Sequence, residues 1–145
     1  MGVEVLTGFL YSLVVYNIPL LYGTVGEIFN EKTGSLNLGV EGTMAVGSLF
    51  GYLVGCWCNS LLLGILAAMV FAGLCGLLFA FFTVTLQANQ NVTGLTITTL
   101  GLGIYYFVGH GVNKNLGWPS MQAAANVAAG WKAQPIPLLS DIPII

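Results

Sequence analysis

Glu31, Lys32, Asn37 and Glu41 stand within one short stretch of chain, interleaved with Gly34, Gly39 and Gly42. Three of the eight charged residues lie between Glu31 and Met44, and the segments on both sides are apolar enough for lipid. Such groups can hold charge and exchange hydrogen bonds. Set against hydrocarbon they would cost free energy, so they call for a wall of protein or water. They do not make a reaction centre. Acid–base or metal chemistry needs clustered histidines or paired carboxylates, and the chain has one histidine, His110, with no carboxylate or second ligand near it in sequence. His110 reads as a loop residue, and no catalytic residue, metal or other cofactor is expected. Cys56, Cys58 and Cys75 lie in apolar runs and read as small packing residues. The sequon Asn91-Val92-Thr93 reads as coincidence.

The elements that must position these groups follow from composition. With 57% hydrophobic residues, 6% charged residues and a mean hydropathy of +0.89, 145 residues cannot build a water-soluble surface. No charged side chain occurs between Glu4 and Glu27, or between Glu41 and Lys114. At about 20 residues per crossing, the first interval holds one helix and the second three. The expected fold is all-α, a polytopic membrane helix bundle of about four transmembrane helices with a broken or re-entrant segment. It forms a single transmembrane domain over residues 1–145. The helices are expected at roughly Val5 to Ile28, Thr43 to Trp57, Leu61 to Leu86 and Val92 to Val108. Turns fall at Cys58-Asn59-Ser60 and at Gln87-Ala88-Asn89-Gln90-Asn91. Membrane-barrel strands would alternate in polarity, and these runs do not. A cleavable leader is not expected, since the basic start and cleavage site are missing. Myristoylation fails at Leu6, where Ser or Thr is needed.

Residues 110–145 change character, with Trp118-Pro119, Trp131, Pro135, Pro137 and Pro143, and read as an interfacial loop. Trp118 and Trp131 suit headgroup depth. The closing Ile142-Pro143-Ile144-Ile145 reads as the approach to another apolar element. If four helices cross, Lys32 emerges opposite Lys114 and Lys132, and the charge rule then favours neither orientation.

Helix two carries Gly47, Gly51 and Gly55, and helix three carries Gly64, Ala68, Ala72, Gly76 and Ala80, each row spaced by four. Four-residue spacing puts small side chains on one helix face, which lets backbones approach closely in lipid. Asn17 lies two residues before Pro19, where a kink or local opening is expected. Thr93, Thr96 and Thr99 recur at spacing three, and each hydroxyl can bond back to its own helix. The stretch opened on above is divided by Thr33-Gly34 and Leu38-Gly39 into pieces too short to cross. Two readings fit it: a broken or re-entrant helix lining a cavity, or an interfacial loop with Glu31, Lys32 and Glu41 in water.

The run Gly26-Glu27-Ile28-Phe29-Asn30-Glu31-Lys32-Thr33-Gly34-Ser35-Leu36-Asn37-Leu38-Gly39-Val40-Glu41-Gly42-Thr43-Met44 resembles the permease subunits of bacterial ATP-binding-cassette importers for nucleosides and simple sugars. These belong to a wider group that includes the ribose and branched-chain amino acid permeases. From Gly34 to Met44 the chain matches the family pattern Gly-x-x-Asn-x-Gly-x-Glu-Gly-x-Met, followed by a glycine-rich helix. The resemblance continues more weakly through Gln90-Asn91-Val92-Thr93-Gly94-Leu95 and the proline-rich tail. Lys32-Thr33 departs from the family's usual Arg and small residue while keeping the positive charge. Family members are longer, and this chain corresponds to their amino-terminal half.

The resemblance implies a multi-pass subunit of the bacterial cell (inner) membrane that is no enzyme itself. ATP would be hydrolysed on a separate ATP-binding-cassette ATPase subunit. A second permease subunit would complete the pathway, an extracytoplasmic substrate-binding protein would deliver the solute, and the lipid bilayer would surround it; nucleic acid is not a partner. A neutral, hydroxyl-rich nucleoside or sugar wants hydrogen-bonding groups and aromatic faces, such as Asn17, Asn37, Thr96, Thr99 and Tyr105. The candidate pathway or motif residues are Asn17, Glu27, Asn37, Gly39, Glu41, Gly42, Thr96 and Thr99. Asn37 and Glu41, four apart, would share a face if helical and would shape the break rather than touch substrate. A non-transporting helical scaffold or truncated permease remnant is the alternative, and an integral-membrane enzyme ranks third.

Overall fold

The computed structural model describes residues 2–111 and 118–129. Lys114, Trp131, Lys132 and the prolines from Pro135 onward lie outside the described residues, so the expectations placed on them are not addressed. The described residues form α1 (Gly2–Lys32), α2 (Val40–Trp57), α3 (Leu61–Ala80), α4 (Gln90–Tyr106) and α5 (Met121–Ala129), with no strand among them. π-helical turns extend α3 (Phe81–Thr85) and α4 (Phe107–Gly111). Three helical stretches are long and apolar enough to cross a membrane: Glu4–Lys32, Leu61–Thr85 and Gln90–Gly109. The shorter α2 is the centre of the bundle and supplies most of the core, with Val46, Leu49 and Leu53 buried alongside Phe79 and Ile97.

The small-residue rows meet as their spacing predicts. A Cβ at Gly51 would stand 2.9 Å from that of Ala68, one at Gly47 would touch Ala72, and one at Gly55 would lie 3.3 Å from the Gly64 backbone. This order makes α3 antiparallel to α2. Phe50 and Phe71 stack across the same seam at 3.9 Å. The row ends there: nothing lies within 4 Å of where a Cβ on Gly76 would be.

The turns have local causes. Asn59 takes the left-handed backbone that closes the α2–α3 turn (φ 48°), a conformation Asn tolerates. Asn89 caps α4, its side-chain oxygen accepting the Asn91 and Val92 amides. α1 runs unbroken through Pro19, so the expected opening does not interrupt the helix. The Asn17 side chain donates instead to the Leu13 carbonyl of its own helix (2.6 Å).

α5 departs from the loop expected over residues 110–145. Ser120 stands at the head of the alanine-rich run Met121–Ala129, and its hydroxyl accepts the Ala123 amide, a helix-starting arrangement that outweighs the surrounding Pro and Trp. Trp118 lies against Tyr52 of α2, with ring centroids 6.2 Å apart.

Candidate functional site

α1 ends, as glycine-terminated helices do, on a left-handed residue. Gly34 (φ +83°) donates to the Glu31 carbonyl, and Ser35 reaches back to Asn30. Seven residues of irregular backbone, 33–39, then lead to α2. Asn37 lies within this join, ahead of the helix, so it does not share a helical face with Glu41.

The join is held by side chains from three directions. A Glu27 carboxylate oxygen on α1 accepts the Asn37 amide at 2.7 Å, and the Gln90 carbonyl at the head of α4 accepts the Leu36 amide at 2.9 Å. The Thr98 hydroxyl on α4 donates to the Leu38 carbonyl at 2.8 Å. The Asn37 side chain accepts the Gly39 amide, and Thr43 donates back to the Gly39 carbonyl. Irregular backbone among apolar helices persists only where protein groups satisfy it, at several kcal/mol for each group left open. A charged acceptor such as Glu27 makes one of the stronger bonds of this kind.

Backbones also meet here. A Cβ on Gly39 would come within 3.1 Å of the Gly94 carbonyl, and one on Gly42 would run into the backbone of Ile97 and Thr98. One on Gly101 would run into Gly42. The close approach expected of the motif glycines is thus made by α4, which runs parallel to α2.

Beside the join, α1, α2 and the end of α3 enclose an open cavity of about 670 Å³. Its lining mixes polar side chains, among them Glu27, Asn30, Asn37, Thr43 and Thr83, with apolar and aromatic ones, among them Tyr22, Phe29, Met44 and Phe79. Among the described residues, Glu27 is the one carboxylate in its lining.

Of the candidate residues, the structure brings Glu27, Asn37, Gly39 and Gly42 together. Asn17 is exposed on α1, away from the cavity, and Glu41 is exposed, its carboxylate without a hydrogen-bond partner among the described residues. Thr96 and Thr99 are exposed on an outer groove of α4 lined by α4 and its π turn, and like Thr93 each bonds back to its own helix. Gln90 and Thr98 were not anticipated. Gln90 opens the weaker motif Gln90–Leu95, a signal that could have pointed to it, whereas nothing local separates Thr98 from its back-bonding neighbours.

Residues 9–133 match the family described as branched-chain amino acid transport system / permease component. Over 116 residues the chain is 35% identical to a Haloferax volcanii protein named "Putative glucose ABC transporter permease protein TsgC13", covering 79% of this chain and 35% of that one. It is 31% identical to the guanosine ABC transporter permease protein NupQ of Bacillus subtilis, over 73% of this chain and 35% of that one. With the nucleoside ABC transporter permease protein NupC of Lactococcus lactis subsp. cremoris, identity is 27% over 92% of this chain and 42% of the relative. The aligned regions thus span well under half the length of these relatives. No solved structure gives a significant match.

Proposed function

The chain belongs to the permease-component family of branched-chain amino acid transport systems, and from that premise we propose that it forms part of the translocation pathway of an ATP-binding-cassette importer for nucleosides or simple sugars. The observation that carries this reading is the join between α1 and α2. Its irregular backbone is engaged at the Leu36, Asn37 and Gly39 amides and the Leu38 carbonyl by Gln90, Glu27, Asn37 and Thr98, and it borders a cavity whose mostly apolar lining carries several polar side chains. Interrupted backbone beside a cavity is how membrane transporters build solute pathways. The polar lining residues offer amide, hydroxyl and carboxylate groups to a solute whose hydroxyls need partners.

In this reading the chain carries no hydrolytic chemistry, and ATP is consumed on a separate cytoplasmic ATPase subunit. A second permease subunit completes the pathway, an extracytoplasmic binding protein delivers solute, and the assembly resides in the bacterial cell membrane. Co-expression with an ATP-binding-cassette ATPase and an extracytoplasmic binding protein from the same organism, followed by uptake of labelled nucleosides and sugars, tests the proposal. ATP-dependent uptake that requires this chain, and co-purification with the ATPase, are expected. A chain that reaches the membrane with its partners and transports nothing would leave it a scaffold.

A further inference from the structure

The cavity beside the join holds a carboxylate that the fold uses only in part. One Glu27 oxygen accepts the Asn37 amide, and the other has no hydrogen-bond partner among the described residues. Glu27 lies within the membrane-crossing stretch Glu4–Lys32, where an unpaired carboxylate marks a functional position and calls for a partner. Lys32, the nearest cation in sequence, is exposed and not part of the lining, and no Lys, Arg or His lines the cavity among the described residues.

The threonine hydroxyls of the lining have already engaged their protons. Thr33 donates to the Asn30 carbonyl, Thr43 to that of Gly39, and Thr83, carried by the π turn that extends α3, to that of Phe79. Toward a solute each can therefore only accept. The side chains of Asn30, Asn37 and Ser35 can still donate, but neutral dipoles do not cancel a full charge. The lining is thus rich in acceptors and carries one uncompensated negative charge.

We propose that Glu27 is the specificity-determining residue of this cavity, taking a hydroxyl or amino hydrogen of a neutral solute and turning away the phosphorylated form of the same solute. The inference rests on the permease reading and narrows its solute. A free nucleoside or sugar brings hydroxyl donors to a lining whose unused groups are mostly acceptors. Its phosphate ester is negatively charged and brings oxygens that need donors or a cation. Beside Glu27 it meets a like charge, and that repulsion is strong where protein and lipid lower the dielectric.

The test follows the backbone amide of Asn37, which shares the Glu27 carboxylate and so reports on it. The 145-residue chain, labelled with nitrogen-15 in detergent micelles, is titrated with guanosine and guanosine monophosphate, and with glucose and glucose phosphate. At least one neutral solute is expected to shift the Asn37 resonance and to bind about tenfold or more tightly than its phosphate. Glu27→Gln, which keeps an acceptor and removes the charge, should bring that ratio within about threefold, while Glu4→Gln at the far end of α1 leaves it unchanged. A general loosening of the join would weaken both solutes alike and leave the ratio in place. An Asn37 resonance unmoved by either neutral solute, equal affinity for a solute and its phosphate, or an unaltered ratio in Glu27→Gln would overturn the assignment. Vesicle uptake with the ATPase and binding protein separates the two claims. Uptake by the assembled transporter, with no Glu27-dependent ratio on the chain, refutes this assignment and leaves the permease reading standing. A Glu27-dependent ratio without uptake refutes the permease reading alone.

Discussion

α1 and α2 are both apolar helices hung from the same join, yet they sit in the bundle in opposite ways. α2 is clasped on two sides, by α3 along Gly47, Gly51 and Gly55 and by α4 at Gly39 and Gly42. α1 is exposed along its length, Tyr16 to 80%, and meets α2 near its own end, where Gly23 stands against Met44 and Val40. Hydropathy does not explain this, since α1 satisfies the apolar-length criterion for a span. Small residues do. In lipid, apolar character admits a helix to the bilayer but gives it no reason to prefer a neighbour, and backbone approach over glycine and alanine supplies that reason.

The comparison breaks most easily at Gly42. Gly42→Ala forces a methyl into the backbone of Ile97 and Thr98 and should cost more than about 3 kcal/mol, or abolish folded protein, in denaturation from mixed micelles. Next comes the tie between α1 and the join. Glu27→Ala strands the Asn37 amide and should cost about 2 kcal/mol, whereas Glu27→Gln keeps an acceptor and should recover about half of that. Equal losses in the two variants would mean that the charge, not the bond, matters. Thr98→Val leaves the Leu38 carbonyl open and should cost about 1 kcal/mol by the same assay. The smallest effect is expected on α1: Gly8→Ala meets nothing within 4 Å and should be neutral or stabilising by up to about 1 kcal/mol through helix propensity. A large loss at Gly8 would show that α1 is packed in the membrane after all. Glu41→Gln belongs at this end too, with stability changed by less than about 0.5 kcal/mol, so any fall in uptake would reflect contact with another subunit.

What was legible in the sequence was the part written at regular spacing. Rows of small residues every four positions foretold the α2–α3 seam, and the break in apolar character at Glu31–Met44 marked the join. The α2–α4 crossing was harder to read, because Gly39, Gly42, Gly94 and Gly101 form no row until two helices are laid side by side. The bonds that hold the join come from Glu27, Gln90 and Thr98, and the two on α4 lie more than fifty residues from the groups they satisfy. Local pattern carries no trace of such pairing. The threonines behaved as single-helix chemistry predicts, except Thr98, whose hydroxyl found a carbonyl across the interface instead of its own. Neither π turn has a residue signature, and α5 was hidden by the Trp and Pro residues around Ser120.

The dependence of the join on α4 also sets an order of events during synthesis. α1 and α2 are complete before Gln90 and Thr98 have been translated, so at that stage the Leu36 amide and the Leu38 carbonyl have no protein partner. The early hairpin must keep this corner in contact with water or with the insertion machinery. The corner can be sealed from lipid only once α4 arrives, so a helix made later completes the turn between the first two.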